Sequence, residues 1–76
     1  MKKEEFLTAL EDVLQREDPC GEGDDLNEYE EWDSLSKMAV MAYFDRNFGI
    51  RITLNQLDEF KTVADLIALA GEKIQQ

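Results

Sequence analysis

Asp33-Ser34-Leu35-Ser36-Lys37-Met38-Ala39-Val40-Met41-Ala42-Tyr43-Phe44-Asp45-Arg46-Asn47-Phe48-Gly49 reads as a helix with both ends marked. Asp33 carries a side-chain oxygen suited to the first orphan N–H groups of a helix, and Gly49 suits the left-handed residue that ends one. Between them Leu35, Met38, Ala39, Met41, Ala42 and Phe48 are available for burial. The spacing predicts a helix over Leu35–Phe48, apolar around much of its circumference and therefore central to the fold. Leu35 is expected to turn inward and fix the start of this helix on the core.

Working outward, Phe6, Leu7, Leu10, Val13 and Leu14 form one apolar stripe, and Glu4, Glu5, Glu11 and Asp12 fall mostly off it, which predicts a first amphipathic helix. On the other side, Thr53-Leu54-Asn55-Gln56 has the form of a capping box and opens a short helix. Thr62-Val63-Ala64-Asp65 has the related form with Asp and starts a last helix through Leu66, Ile67, Leu69, Ala70 and Ile74. The alternation Ile50-Arg51-Ile52 is too short, and has no partner, to make a strand. Between the first two helices lies Glu17-Asp18-Pro19-Cys20-Gly21-Glu22-Gly23-Asp24-Asp25, which has turn chemistry and no apolar period. Leu26, Tyr29 and Trp32 then recur at three-residue spacing and are expected to pin the second half of this loop to the core through a short helical turn. The expected architecture is all-α: a small four-helix bundle of three main helices and one short helix, with a long acidic loop after the first helix. Its 76 residues are expected to form a single domain over 1–76.

The charge is segregated. Of 18 acidic and 8 basic residues, nine acids and no base fall within residues 17–33, which accounts for nine of the ten net negative charges. Such a balance argues against nucleic acid and anionic membrane surfaces, and suits basic protein surfaces. The chain has no His, which removes Ser–His, Cys–His and His-based metal chemistry. The single Cys20 cannot pair internally and reads as a loop thiol in a reducing compartment. Met1-Lys2-Lys3-Glu4-Glu5 has no apolar run behind it, so no signal peptide is expected, and no stretch approaches a membrane span. These features predict a small cytoplasmic protein, monomeric and without stable membrane insertion.

The carboxylates Asp24, Asp25, Glu28, Glu30 and Glu31 invite a calcium reading. An EF-hand register started at Asp18 puts Cys20 in the third ligand position, and one started at Asp24 puts Leu26 there, so neither fits. A solvated acidic loop, screened weakly by cations, is the simpler reading, and no metal site is assigned. A glycosidase-like carboxylate pair needs a cleft that desolvates one acid, and the sequence supplies none. Asp33-Ser34-Leu35 differs in kind. With Asp33 as cap, Ser34 falls in the first turn with its hydroxyl exposed, where a phosphate would meet unsatisfied N–H groups and the positive end of the helix dipole. The bland alternative is that Asp-Ser is a helix-start dipeptide and nothing more.

Over essentially its whole length the chain resembles the acyl carrier proteins. The resemblance rests on size, acidity, the first helix with its long loop, Asp33-Ser34-Leu35, the helix exit Asn47-Phe48-Gly49-Ile50-Arg51-Ile52, and Phe60-Lys61-Thr62-Val63-Ala64-Asp65-Leu66. It implies that Ser34 is esterified with 4′-phosphopantetheine from coenzyme A, with Ser36 as the rival in the same turn. It also implies that the chain is not itself an enzyme but carries an acyl or aminoacyl group as a thioester. Asp33 and Leu35 would assist recognition by the phosphopantetheinyl transferase, through charge and as an apolar anchor, beside their roles as cap and core contact. The further partners implied are an acyl- or aminoacyl-loading ligase and acyl-transfer enzymes with basic docking surfaces, meeting the faces near Ser34 that include Lys37, Met41 and Arg46. Met38, Met41, Tyr43 and Phe44 read as core or docking contacts before they read as an acyl pocket.

The departures point away from central fatty-acid synthesis. Trp32 precedes the motif, and Lys37 and Arg46 stand in a helix that in those carriers is rich in acids. The Trp-Asp-Ser-Leu form is closer to stand-alone carriers of specialised lipid, polysaccharide-modification or secondary-metabolite pathways. The competing reading is an acidic helical interaction module without a prosthetic group, which fits the charge but gives no reason for Asp-Ser-Leu. Phosphorylation of Ser34 by an acid-directed kinase is a weaker alternative.

Overall fold

A computed structural model describes residues 1–75 and has the order α1 (Lys3–Leu14), a 3-10 turn (Leu26–Glu28), α2 (Ser34–Phe48), α3 (Leu54–Glu59) and α4 (Val63–Ala70), closed by a second 3-10 turn (Gly71–Lys73). Among the described residues no strand forms, and Ile50-Arg51-Ile52 is irregular. The expected three longer helices and one short helix are present. The last ends sooner than its apolar residues suggest, at Ala70, although Ile74 beyond it is still buried.

At the start of each helix a side chain accepts from a backbone N–H of the cap or the first turn. The Lys2 N–H donates to Glu5 Oε1 at 2.8 Å, the Ser36 N–H to Asp33 Oδ1 at 2.8 Å, and the Gln56 N–H to Thr53 Oγ1 at 3.2 Å. Thr53 and Gln56 complete a reciprocal box, the Thr53 N–H donating to Gln56 Oε1 at 2.8 Å. At α4, Asp65 Oδ2 accepts from the N–H groups of Lys61 and Thr62 at 2.8 and 3.1 Å. The next two N–H groups of α4 go to the acidic loop: Val63 donates to the Asp24 carbonyl at 3.1 Å and Ala64 to the Glu22 carbonyl at 2.9 Å. The loop thus crosses from α1 and caps the last helix with its backbone, which leaves its carboxylates for other contacts.

The core is built from Phe6, Leu10 and Leu14 of α1, Val40, Phe44 and Phe48 of α2, Leu57 of α3, and Val63, Leu66 and Ile67 of α4. Four aromatic rings join α1 to α2. Phe6 meets Phe44 edge-on with centroids 5.9 Å apart, Phe44 meets Phe48 at 5.1 Å, and Tyr43 meets Phe48 at 5.8 Å. Such edge-to-face pairs contribute about 0.5–1.5 kcal/mol each beyond their buried area.

α2 does not bury the residues its composition suggests. Leu35 does not turn inward: it is 77% exposed, and Met38 is 59% exposed. Ala39 and Ala42 are exposed too, and Met41 is half-buried. At 100° per residue, Val40, Phe44 and Phe48 make one line along the helix, and Leu35, Met38 and Ala42 lie on the opposite side. Only one side of α2 can meet the bundle, and the two phenylalanines, with more area to bury than leucine or methionine, take it. α2 therefore has an apolar outer face.

Cys20 is likewise not a plain loop thiol. It is buried in the core beside Tyr29, its N–H donates to Glu11 Oε2 at 2.9 Å, and burial pushes its thiol pKa up, which makes it a poor nucleophile. Leu26, Tyr29 and Trp32 pin the second half of the acidic loop as their spacing predicts, all three being buried.

Candidate functional site at the start of α2

Ser34 is the first residue of α2 and its side chain is exposed. The preceding Asp33 is extended, with φ −119° and ψ −179°, so the chain enters the helix through a sharp change of direction. Asp33 closes the first turn twice, its carboxylate accepting from the Ser36 N–H and its carbonyl from the Lys37 N–H at 2.9 Å. The N–H groups of Ser34 and Leu35 have no acceptor among the described residues. A group esterified to the Ser34 hydroxyl would sit outside the fold at the positive end of a 15-residue helix.

Three contacts hold this corner still. Trp32 is buried just before the cap, and Lys37 Nζ lies 5.6 Å from its ring centroid. The same ammonium pairs with Asp58 Oδ1 of α3 at 2.9 Å. Sequence reasoning placed Lys37 on an open docking face. The structure instead gives it a structural partner and leaves only 18% of its side chain exposed. The signal was present, since at 100° per residue Lys37 falls on the same line as Val40, Phe44 and Phe48, one turn nearer the start of the helix.

Behind Trp32 the loop is tied to Arg16, two residues beyond the end of α1. Arg16 Nη1 pairs with Glu31 Oε1 at 2.8 Å, and its guanidinium stacks over the Tyr29 ring at 3.8 Å from the centroid. The Tyr29 hydroxyl donates to Asp24 Oδ2 at 2.7 Å, and the Gly21 N–H reaches the same oxygen at 2.8 Å. These two bonds, the tyrosine's first, hold the Asp24 carboxyl below the usual range. Burial and the neighbouring Asp24 carboxylate push the Tyr29 phenol well above its ordinary value. Glu31 is held low by a bond to its own backbone N–H and then by Arg16. Several members of the acidic segment are thus occupied in building the loop, and the described residues contain no cluster of three carboxylate or thiol groups placed to hold a metal ion.

A shallow groove of about 390 Å³ runs beside the serine between the end of α1 and the first turns of α2. Val13, Leu14 and Gln15 make one wall, and Leu35, Ser36, Met38 and Ala39 make the other. Sequence reasoning missed this feature, because no periodicity within one helix shows where two helices diverge. Phe44, which was weighed as a pocket residue, is fully buried in the aromatic cluster and lines no groove. No helix of the described residues is long and apolar enough to cross a membrane.

A family model described as a phosphopantetheine attachment site matches residues 4–70, which takes in α1 from its second residue, the acidic loop and α2 to α4. No curated protein and no solved structure matches the chain. The exposed position of Ser34 and the capped first turn fit a covalently attached arm.

Proposed function

The chain belongs to the phosphopantetheine attachment-site family, whose members carry 4′-phosphopantetheine covalently and are not catalytic themselves, and from that premise we propose that Ser34 is the residue that bears it. The observation that carries this reading is the placement of Ser34: the exposed first residue of a capped helix, between an N-cap aspartate and an outward-facing leucine. Ser36, two residues later in the same turn, is half-buried and has its N–H tied to Asp33. In the transferase complex the Ser34 Oγ would attack the β-phosphorus of coenzyme A. The Oγ–P bond forms as the P–O bond to the 3′,5′-ADP leaving group breaks, and the hydroxyl proton passes to a base of the transferase, since this chain offers no His.

The arm, once attached, supplies the thiol that the carried group needs. The residues of this chain do the rest by position. Asp33 fixes the turn that presents Ser34. Leu35, already outside the core, is available to the transferase as an apolar anchor at no cost in folding. Cargo acylated on the thiol would be passed between a loading ligase and acyl-transfer enzymes, and the Trp32-Asp33-Ser34-Leu35 form with Lys37 and Arg46 in α2 supports a specialised lipid, polysaccharide-modification or secondary-metabolite pathway. An acidic interaction module without a prosthetic group would account for the charge and for the cap but gives no reason for Ser34 between Asp33 and an outward-facing Leu35.

Intact mass before and after incubation with coenzyme A and a broad-specificity phosphopantetheinyl transferase tests the assignment. One pantetheine-sized gain is expected, mapped to Ser34, lost in Ser34→Ala and kept in Ser36→Ala. Loss only in Ser36→Ala would overturn it.

A further inference from the structure

The first turn of α2 is poor in positive charge for a turn that is to carry a phosphodiester. α2 has two cations, Lys37 and Arg46. Arg46 lies about 18 Å further along the axis than Ser34, at 1.5 Å per residue. On the loop side, Arg16 is already paired with Glu31 at 2.8 Å. Lys37 is therefore the one cation in the first two turns of α2, three residues from Ser34. Residues at i and i+3 are neighbours on a helix surface, about 5–6 Å apart at Cβ. Side chains also lean toward the N-terminus of their helix, so Lys37 points back toward the level of Ser34. Its position agrees with that lean: Nζ lies 5.6 Å from the ring centroid of Trp32, a residue that precedes the helix.

In the unmodified chain this ammonium is committed to Asp58 Oδ1 of α3 at 2.9 Å. The Asp58 side chain is half exposed, so water competes for it, and such a pair contributes little to stability. Asp33, four residues back, is not the partner, because its Oδ1 already accepts from the Ser36 N–H. A phosphodiester on Ser34 changes the balance. It brings a full negative charge onto the same helix as Lys37, with the anion N-terminal to the cation, the order that the helix dipole favours. Pairing within one helix needs no second element to be held in place, whereas pairing with Asp58 does.

We propose that Lys37 is the counter-charge for the phosphodiester at Ser34, and that attachment draws it from Asp58, so that α3 loses its ion pair to α2. The proposal rests on Ser34 being the attachment residue. Asp58 and its neighbour Glu59, both exposed, are then left as acids without that pair. The modified chain thus presents a more acidic edge at α3 than the unmodified one, and a basic partner surface can tell the two apart there.

The test compares the full chain, unmodified and carrying the arm without cargo, as the native sequence, Asp58→Asn and Lys37→Met. Intact mass and peptide mapping first establish that the arm is on Ser34. An arm found on another residue overturns the attachment reading, which separates that failure from failure of the exchange. Asp58→Asn breaks an ion pair in the unmodified chain and finds none to break in the modified one. Its effect on the thermal midpoint is expected to be about 2–4 °C more unfavourable in the unmodified form, the scale of a half-exposed pair in a small domain. Taking the difference between forms cancels whatever the loss of one acid does to a chain of net charge −10. Trp32 emission gives a second reading. Attachment is expected to shift it in the native chain, as Lys37 leaves the ring, and to shift it less in Lys37→Met, whose unbranched side chain still covers the ring. Equal effects of Asp58→Asn in the two forms overturn the proposal, and so does an emission change of the same size in Lys37→Met.

Discussion

Asp33 and Leu35 flank the same serine, and their folding roles are opposite. Asp33 satisfies a first-turn N–H at 2.8 Å, and removing such a cap costs about 1 kcal/mol. Asp33→Ala should therefore lower the thermal midpoint by several degrees, on the scale of 4–8 °C per kcal/mol for a domain of this size. Asp33→Asn should keep the cap and the midpoint, so that any change in its rate of modification reports the charge alone. Leu35→Ser should leave stability within about 0.5 kcal/mol, because its side chain is already in water. Phe44→Ala should cost about 3–5 kcal/mol as a buried cavity. Chemical denaturation of the pair decides the matter: a destabilised Leu35→Ser would put that residue back in the core. Gly49, at φ +68°, ends α2 in the left-handed region, its N–H donating to the Asp45 carbonyl and that of Ile50 to the Phe44 carbonyl, so it is the one residue of the helix exit that resists a side chain.

At the scale of elements, the acidic loop is a structural member and its stability is tied to pH. Asp24 in the folded chain titrates below its ordinary value because the Tyr29 hydroxyl and the Gly21 N–H both donate to it. A carboxyl depressed on folding contributes stability that is fully present above its unfolded value and is lost as pH falls through its folded one. The stability difference between the native chain and Asp24→Asn should accordingly shrink as the pH is taken from 7 into the acid carboxylate range. A difference that stays constant would show that Asp24 acts only through shape. Tyr29→Phe removes the larger of the two bonds and should raise the Asp24 titration midpoint, which carbon-detected NMR reads directly. Across α2 and α3, the Lys37–Asp58 pair is half in solvent on the aspartate side, so Asp58→Asn should cost under about 1 kcal/mol. The fluorescence of Trp32, the only tryptophan, should respond to the same change because Lys37 lies over its ring.

At the scale of the whole molecule, a net charge of −10 on 76 residues opposes collapse, yet the radius of gyration is 11.0 Å. A compact chain of this length is expected near 11.4 Å, from about 2.2·N^0.38 Å, so the fold is as compact as its length allows. The repulsion remains as a stability term. Screening it with salt should raise the unfolding midpoint, more so after modification adds a further negative charge at the edge of the acidic segment. A midpoint that falls as salt rises from low to moderate concentration would mean that the pairs Lys3–Glu22, Arg16–Glu31 and Lys37–Asp58 outweigh the excess acids.

The sequence alone determined that there are four helices and where they begin, the caps at the starts of α2, α3 and α4, the anchoring of the loop through Leu26, Tyr29 and Trp32, and the position of Ser34 at a helix start. These depend on contacts within a few residues, where 3.6-residue periodicity and side-chain capping chemistry act directly. It did not determine which side of α2 faces inward. Leu35, Met38, Ala39, Val40, Ala42, Phe44 and Phe48 surround that helix, and periodicity has no contrast to work with when apolar residues lie on all sides. Only the tertiary structure decided it. Phe6 of α1 and Leu57 of α3 arrive on the side of Phe44 and Phe48, the larger rings gain more by burial, and the smaller apolar residues are left outside, beside the serine.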